Sequence, residues 1–184
     1  MPDQIRVLAI SCSPSVGGRT ATALRTVLDG AAAAGADTEL IQLGEHDDLA
    51  EVVARMAAAD AFVFGAPMYR ASYASPFKAL LDVTPRGEHG TQDAPLTARA
   101  AAIVATAGSD HHFLGLQAMR GVLVDFFGAH VVSPGLYLNA ESYTPGQTLT
   151  EERAGQARTQ GIALVELARA IAASEGLRNV TPNA

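Results

Sequence analysis

Cysteine is almost missing from this chain: Cys12 is the one example in 184 residues. A single thiol excludes an internal disulfide framework and any cysteine-based metal site. Cys12 ends a predicted buried strand, so it reads as a packed thiol rather than a reactive one. Tryptophan is absent and lysine is scarce, arginine being the preferred cation. No basic stripe or cluster stands out, and the net charge is −6; both argue against a nucleic acid partner. No apolar run reaches the length of a membrane helix. The N-terminal Met1-Pro2-Asp3-Gln4 brings a charge and then a strand, which is not the pattern of a signal peptide. The expectation is a cytoplasmic protein with no membrane attachment. Nucleophile chemistry is also unsupported, because there is no Gly-x-Ser-x-Gly elbow and no conspicuous carboxylate pair. The predicted strand ends carry no acidic metal ligands, which weighs against a nucleotide hydrolase.

What the chain does have is a core. Hydrophobic residues make up 48% of it and charged ones 17%, enough for one compact domain over residues 1–184. Apolar runs and helical patterns alternate along it. Residues 5–10, 38–43, 61–65 and 100–106 read as strands, and 130–133 with 136–139 as a last, interrupted one. Helical spacing connects Leu24, Val27, Leu28 and Ala31, with Gly35 as the stop. Leu49, Val52, Val53 and Met56 mark a second helix. Ser75-Pro76 is a helix start ahead of Phe77, Leu80 and Leu81. Residues 113–127 read as a long apolar helix and 149–174 as the final one, with 176–184 as a frayed tail; the loops at 84–99 and 140–148 are longer than ordinary connections and are expected to border the site or reach a neighbouring subunit. Strict strand–helix alternation implies an α/β, doubly wound parallel sheet of five strands in three α/β/α layers. The flavodoxin-like order 2-1-3-4-5 is the expected topology. Ligands of such sheets sit at the switch point beyond the carboxyl ends of strands 1 and 3.

The residues after strand 1 suit an anion. Ser11-Cys12-Ser13-Pro14-Ser15-Val16-Gly17-Gly18-Arg19-Thr20-Ala21-Thr22 joins a strand to a helix through a hydroxyl-rich turn. Backbone N–H groups at the helix start, the hydroxyls of Ser11, Ser13, Thr20 and Thr22, and the Arg19 guanidinium can together cradle a phosphate. An ordinary capped turn is the plain alternative. A Walker A loop is excluded, since no Gly-Lys-[Ser/Thr] is present, and so is the dinucleotide fingerprint G-x-G-x-x-G. A terminal monophosphate held by amides and hydroxyls remains, and FMN is a common cofactor with such an end.

Two further loops should meet it. Residues 65–75 carry Pro67, Met68, Tyr69 and Arg70, a stiff and partly aromatic wall for a flat ring; a surface loop with Tyr packed back is the alternative. Residues 106–112 carry Thr106, Ala107, Gly108 and Ser109, small enough for close backbone approach, and then His111 and His112. Adjacent histidines point apart and no other ligands accompany them, so no metal site is expected. His112 reads as a contact at a helix terminus or ring edge, or as a solvated side chain. The long apolar helix exceeds what one sheet face can cover, which predicts a homodimer or homotetramer.

Four blocks, Ser13-Pro14 with Arg19-Thr20-Ala21-Thr22, Gly65 to Tyr73, Phe77 to Asp82, and Ala105 to Gly108 with His112, resemble the NAD(P)H-dependent FMN reductase family. The alkanesulfonate type is the nearest subgroup. The likeness covers roughly residues 5–170. It implies hydride transfer from NADPH or NADH to FMN with no catalytic side chain, and supply of reduced flavin to a flavin-dependent monooxygenase. By this resemblance Ser13, Arg19, Thr20 and Thr22 hold the phosphate, Pro67 to Arg70 line the ring, and Thr106 to Ser109 take its polar edge. Ser11 comes from the residue reading alone. The subgroup carries an inserted Tyr in its fourth helix, and Gly115 to Arg120 has none. That departure points to a quinone- or azo-type reductase with retained FMN as the alternative. A flavodoxin-type carrier is a third reading, disfavoured by the missing tryptophan and the mild acidity.

Overall fold

A computed structural model describes residues 4–46, 48–87 and 94–182. Strand β1 (Arg6–Ser11) is followed by α1 (Arg19–Ala33), β2 (Asp37–Gln42), α2 (Leu49–Ala57) and β3 (Ala61–Tyr69). Next come the short β4 (Ser72–Tyr73), α3 (Ser75–Val83), β5 (Ala100–Thr106) and α4 (Gly115–Gly121). The chain closes with β6 (His130–Val131), β7 (Leu136–Leu138), α5 (Glu151–Ala173) and α6 (Glu175–Arg178). The sheet order is β2-β1-β3-β5-β6, with β7 continuing the edge beside β5 and β4 folded back on β3. All pairings except β3–β4 are parallel. Counting β6 and β7 as one interrupted strand, this is the flavodoxin-like order expected.

The register follows from side-chain alternation. Along β1, Val7 and Ala9 pack into one apolar layer and Leu8 and Ile10 into the other. The first layer is closed by Leu24 and Val27 of α1 with Leu164 and Val165 of α5. The second is closed by Val52 and Met56 of α2, Phe77 and Leu80 of α3, and Met119 of α4. A sheet covered on both faces reads as continuous apolar runs, which is why its strands are legible. Helices α1 and α5 cross at glycines: a Cβ on Gly30 would lie 2.0 Å from the Arg158 carbonyl oxygen, and one on Gly161 1.9 Å from that of Val27.

Three expectations are corrected. Strand β3 runs on to Tyr69 instead of stopping at Gly65, and turns into the β4 hairpin through Arg70 and Ala71, both left-handed with φ of 51° and 67°. The expected fourth helix is not one helix. A 3-10 turn at Asp110–His112 precedes α4, and a π-helical turn at Val122–Phe126 follows it, where the Phe127 amide reaches back five residues to Val122 O at 3.2 Å. The wider turn leaves Leu123 and Phe127 buried while Val124 and Phe126 face outward. Part of the segment expected to fray is helical, α6, with the Leu177 amide bonded to Ser174 Oγ and the Leu177 carbonyl to His130 Nε2. Of the long loop expected at 84–99, residues 88–93 lie outside the described residues.

Candidate functional site

The carboxyl ends of β1, β3 and β5 meet at the point where strand order reverses, and each feeds a candidate loop. Ser11 ends β1, fully buried, and its hydroxyl has no hydrogen-bond partner among the described residues. Ser13 is nearly buried and its Oγ accepts the Ser15 amide at 3.1 Å, which folds the loop back on itself. The Gly17 amide donates to Gln42 Oε1 at 2.8 Å, so the end of β2 braces the loop from the side. Helix α1 opens at Gly18 with no side-chain cap. Its first-turn N–H groups therefore keep the donor capacity that a helix start offers an anion. A Cβ at Gly17 or Gly18 would meet nothing within 4 Å, so the backbone there is open to approach.

These features fit the phosphate of FMN: an uncapped 15-residue helix, open glycines, a buried orphan hydroxyl and an exposed guanidinium at Arg19. Thr20 is buried, and its hydroxyl shares a 2.8 Å hydrogen bond with that of Thr106 across 86 positions. It thus ties the first loop to the third. The Thr22 amide closes the first turn of α1 on Gly18 O at 3.0 Å, leaving only its half-buried side chain for a ligand.

The second loop is mostly strand. Pro67 pairs with Thr106 in β5, and its carbonyl accepts the Ala74 amide at 2.9 Å. Met68 turns into the core, so close to Gly115 that a Cβ there would lie 2.2 Å from its sulfur. Tyr69 is 56% exposed, and with Arg70 it presents the outward wall. From the third loop, the Ala107 amide donates to Leu138 O at 2.9 Å, and Tyr137 Oη donates to the Ser109 carbonyl at 2.5 Å. Gly108 is exposed, with open space where a side chain would be. His112 Nδ1 accepts the Ala71 amide at 3.1 Å, so this ring clasps the left-handed hairpin turn. His111 instead shares a 3.1 Å bond with Ser109 Oγ. The two histidines serve different partners, and among the described residues no group of three or more His, Cys, Asp or Glu gathers.

Reading the sequence missed Gln42, Tyr137 and Tyr143. Tyr143 is buried, its ring lies under the Arg19 guanidinium, and its hydroxyl donates to the Arg19 carbonyl at 3.0 Å. The only advance signal was the unusual length of its loop. Burial pushes the Tyr143 phenol up, with Arg19 pulling the other way. Burial alone pushes the Cys12 thiol well above its usual range, so it stays protonated and inert.

A flavodoxin-like sheet with a hydroxyl-rich loop at its switch point is a frame shared by a class of flavin-binding folds. Within it, the chain belongs to the NADPH-dependent FMN reductase family, whose pattern matches residues 5–144. Over 85 residues it is 34% identical to the NADH-dependent FMN reductase SfnF of Pseudomonas putida. That match covers 46% of this chain and 42% of SfnF, so the chain spans less than half the length of this relative. Solved structures that share the fold include two of particular interest. One is the apo form of an NADH:FMN oxidoreductase, EMOB, at 23% identity and a TM-score of 0.74, covering 95% of this chain and 94% of that one. The other is a flavodoxin from the domain Archaea, at 15% identity and 0.66, covering 90% and 99%.

Proposed function

We propose that this protein is an NAD(P)H-dependent FMN reductase, an oxidoreductase that passes hydride from a reduced nicotinamide nucleotide to FMN. The observation that carries the reading is the joining of the phosphate seat to the loop after β5 by the Thr20–Thr106 bond, at the switch point of the sheet. Family membership and the NADH-linked names of SfnF and EMOB support it.

In this reading the amides at the start of α1, with Ser13, Arg19, Thr20 and Thr22, take the phosphate, and the Ser11 hydroxyl lies beneath them. Pro67, Met68, Tyr69 and Arg70 shape one border of the ring site, Met68 through its backbone. Thr106, Ala107, Gly108 and Ser109 form the other, and amides around Gly108 stabilise negative charge at the ring edge without a titrating side chain. His112 fixes the hairpin turn that carries the first border. Bound FMN supplies the hydride-accepting ring, so the protein contributes orientation and electrostatics rather than an acid or base.

A visible absorption spectrum before and after desalting, with NADH and NADPH consumption on adding FMN, tests the proposal. The expected result is oxidation of at least one nucleotide that depends on FMN. Colourless protein that consumes neither with FMN present would overturn it.

A second reading, a quinone- or azo-type reductase with retained FMN, draws on the missing Tyr in Gly115 to Arg120. Flavin that survives desalting, with turnover that follows an added quinone, selects it. Delivery of reduced flavin to a monooxygenase, a cytoplasmic setting, and assembly as a homodimer or homotetramer through the outward Phe113, Leu114, Val124 and Phe126 complete the proposal.

A further inference from the structure

We infer that Tyr143 is a positioning residue for the phosphate seat: it aims the Arg19 guanidinium and pins the first residue of α1, thereby favouring FMN over flavins without a phosphate. The inference rests on the flavin reading above. Its basis is the double grip of one side chain on one residue. The guanidinium carbon of Arg19 stands 5.3 Å from the centre of the Tyr143 ring, within the range of cation–π attraction. The Tyr143 hydroxyl meanwhile donates to the Arg19 carbonyl at 3.0 Å. Backbone and side chain of Arg19 are thus held by the same phenol.

Tyr143 is itself well placed. It forms an antiparallel bridge with Leu149 that closes an arm between β7 and α5. Within the arm, the Thr144 amide donates to Thr148 O at 2.8 Å, and the two threonine hydroxyls share a 2.7 Å bond. At its base, Asn139 Oδ1 accepts both the amide and the hydroxyl of Ser142, and the Thr150 amide donates to Ser142 O at 3.0 Å. The ring emerges from this arm only 8% exposed. A long, exposed arginine ordinarily loses much rotamer freedom when it grips an anion. Ordering it beforehand removes that loss from the binding step. The benefit falls on the anionic tail, because Arg19 stands on the first loop while Tyr69 and Gly108 border the ring site.

The test is titration of the full chain with FMN and with riboflavin, followed by flavin fluorescence, with a thermal melt to verify folding. Wild type is expected to prefer FMN. Tyr143→Leu should weaken FMN about 5- to 20-fold, from the lost cation–π contact at an exposed guanidinium together with the rotamer freedom Arg19 regains, and riboflavin less than about twofold. Tyr143→Phe keeps the ring face and should recover FMN binding to within about threefold of wild type. In an Arg19→Gln background, Tyr143→Leu should add less than about twofold, because the two residues act as a unit. Tyr143→Met also removes the ring, but its unbranched side chain adapts to an irregular gap, and it replaces the leucine variant if that one does not fold. A wild type that prefers FMN, with an FMN-to-riboflavin ratio unmoved in the variants, overturns this inference and leaves the flavin reading standing. A wild type that binds neither flavin overturns both.

Discussion

Thr20 and Thr106 are both buried, and each answers the other's hydroxyl at 2.8 Å. Thr106→Val keeps the shape and removes the partner, leaving a buried hydroxyl unsatisfied at a cost of about 1–3 kcal/mol. Urea denaturation should report that loss, and the Thr20→Val/Thr106→Val double variant should lose less than the sum of the singles. Two other buried groups set a pH dependence. Cys12 and Tyr143, with ordinary values of 9.0 and 10.0, are both held protonated by burial in the fold. In the unfolded chain they ionise near those values, so above about pH 9 the unfolded state binds fewer protons than the folded one. Their contribution is complete below that pH and is lost as pH rises, with a slope of up to about 1.4 kcal/mol per pH unit per group. Denaturation at pH 8 and pH 10 should show the fall, and Cys12→Ala should flatten it. At this scale the hydroxyl loop was legible because strand, small residues and helix follow one another within twelve positions. Thr106 was expected to converge on it from the strand order, but Gln42 and Tyr143 were not legible, because they reach the loop only through the fold.

Helices α1 and α5 approach closely enough that backbone meets backbone at Gly30 and Gly161. Gly161→Ala would drive a methyl into the Val27 carbonyl, which cannot swing aside, at a cost of about 3 kcal/mol or more. Calorimetry should show a Tm lower by about 6–12 °C for a domain of this size. Gly155→Ala on the same helix is the contrast: nothing lies within 4 Å of the new Cβ, so the better helix former should raise stability by about 0.5–1 kcal/mol. Helix patterning is silent on this difference, since both glycines sit in one apolar-striped segment. The β3 boundary shows the same limit. Gly65 and Pro67 read as loop punctuation, yet β1 ends opposite Gly65 and vacates that flank of the sheet. Pro67 can then stay in the strand, its carbonyl bonded to Ala74 on the freed side and its missing N–H costing no rung of the ladder. The fourth helix was overread because apolar spacing does not distinguish an α turn from a π turn.

For the molecule as a whole, the sheet order was legible from strict alternation and from the apolar character of strands covered on both faces. Phe113, Leu114, Val124 and Phe126 all face outward along one stretch of chain, and the proposed homodimer or homotetramer would cover them. Light scattering should return two or four times 19.0 kDa, and Val124→Glu should move the mass toward that of one chain. A monomer at micromolar concentration would contradict the expectation. The arm that carries Tyr143 meets Arg19 across 124 positions of sequence. On the proposed reading, the phosphate seat is therefore complete only after the segment ahead of α5 has docked against the start of α1. Flavin added during refolding should leave the rate of assembly alone and slow only the disassembly of the finished protein.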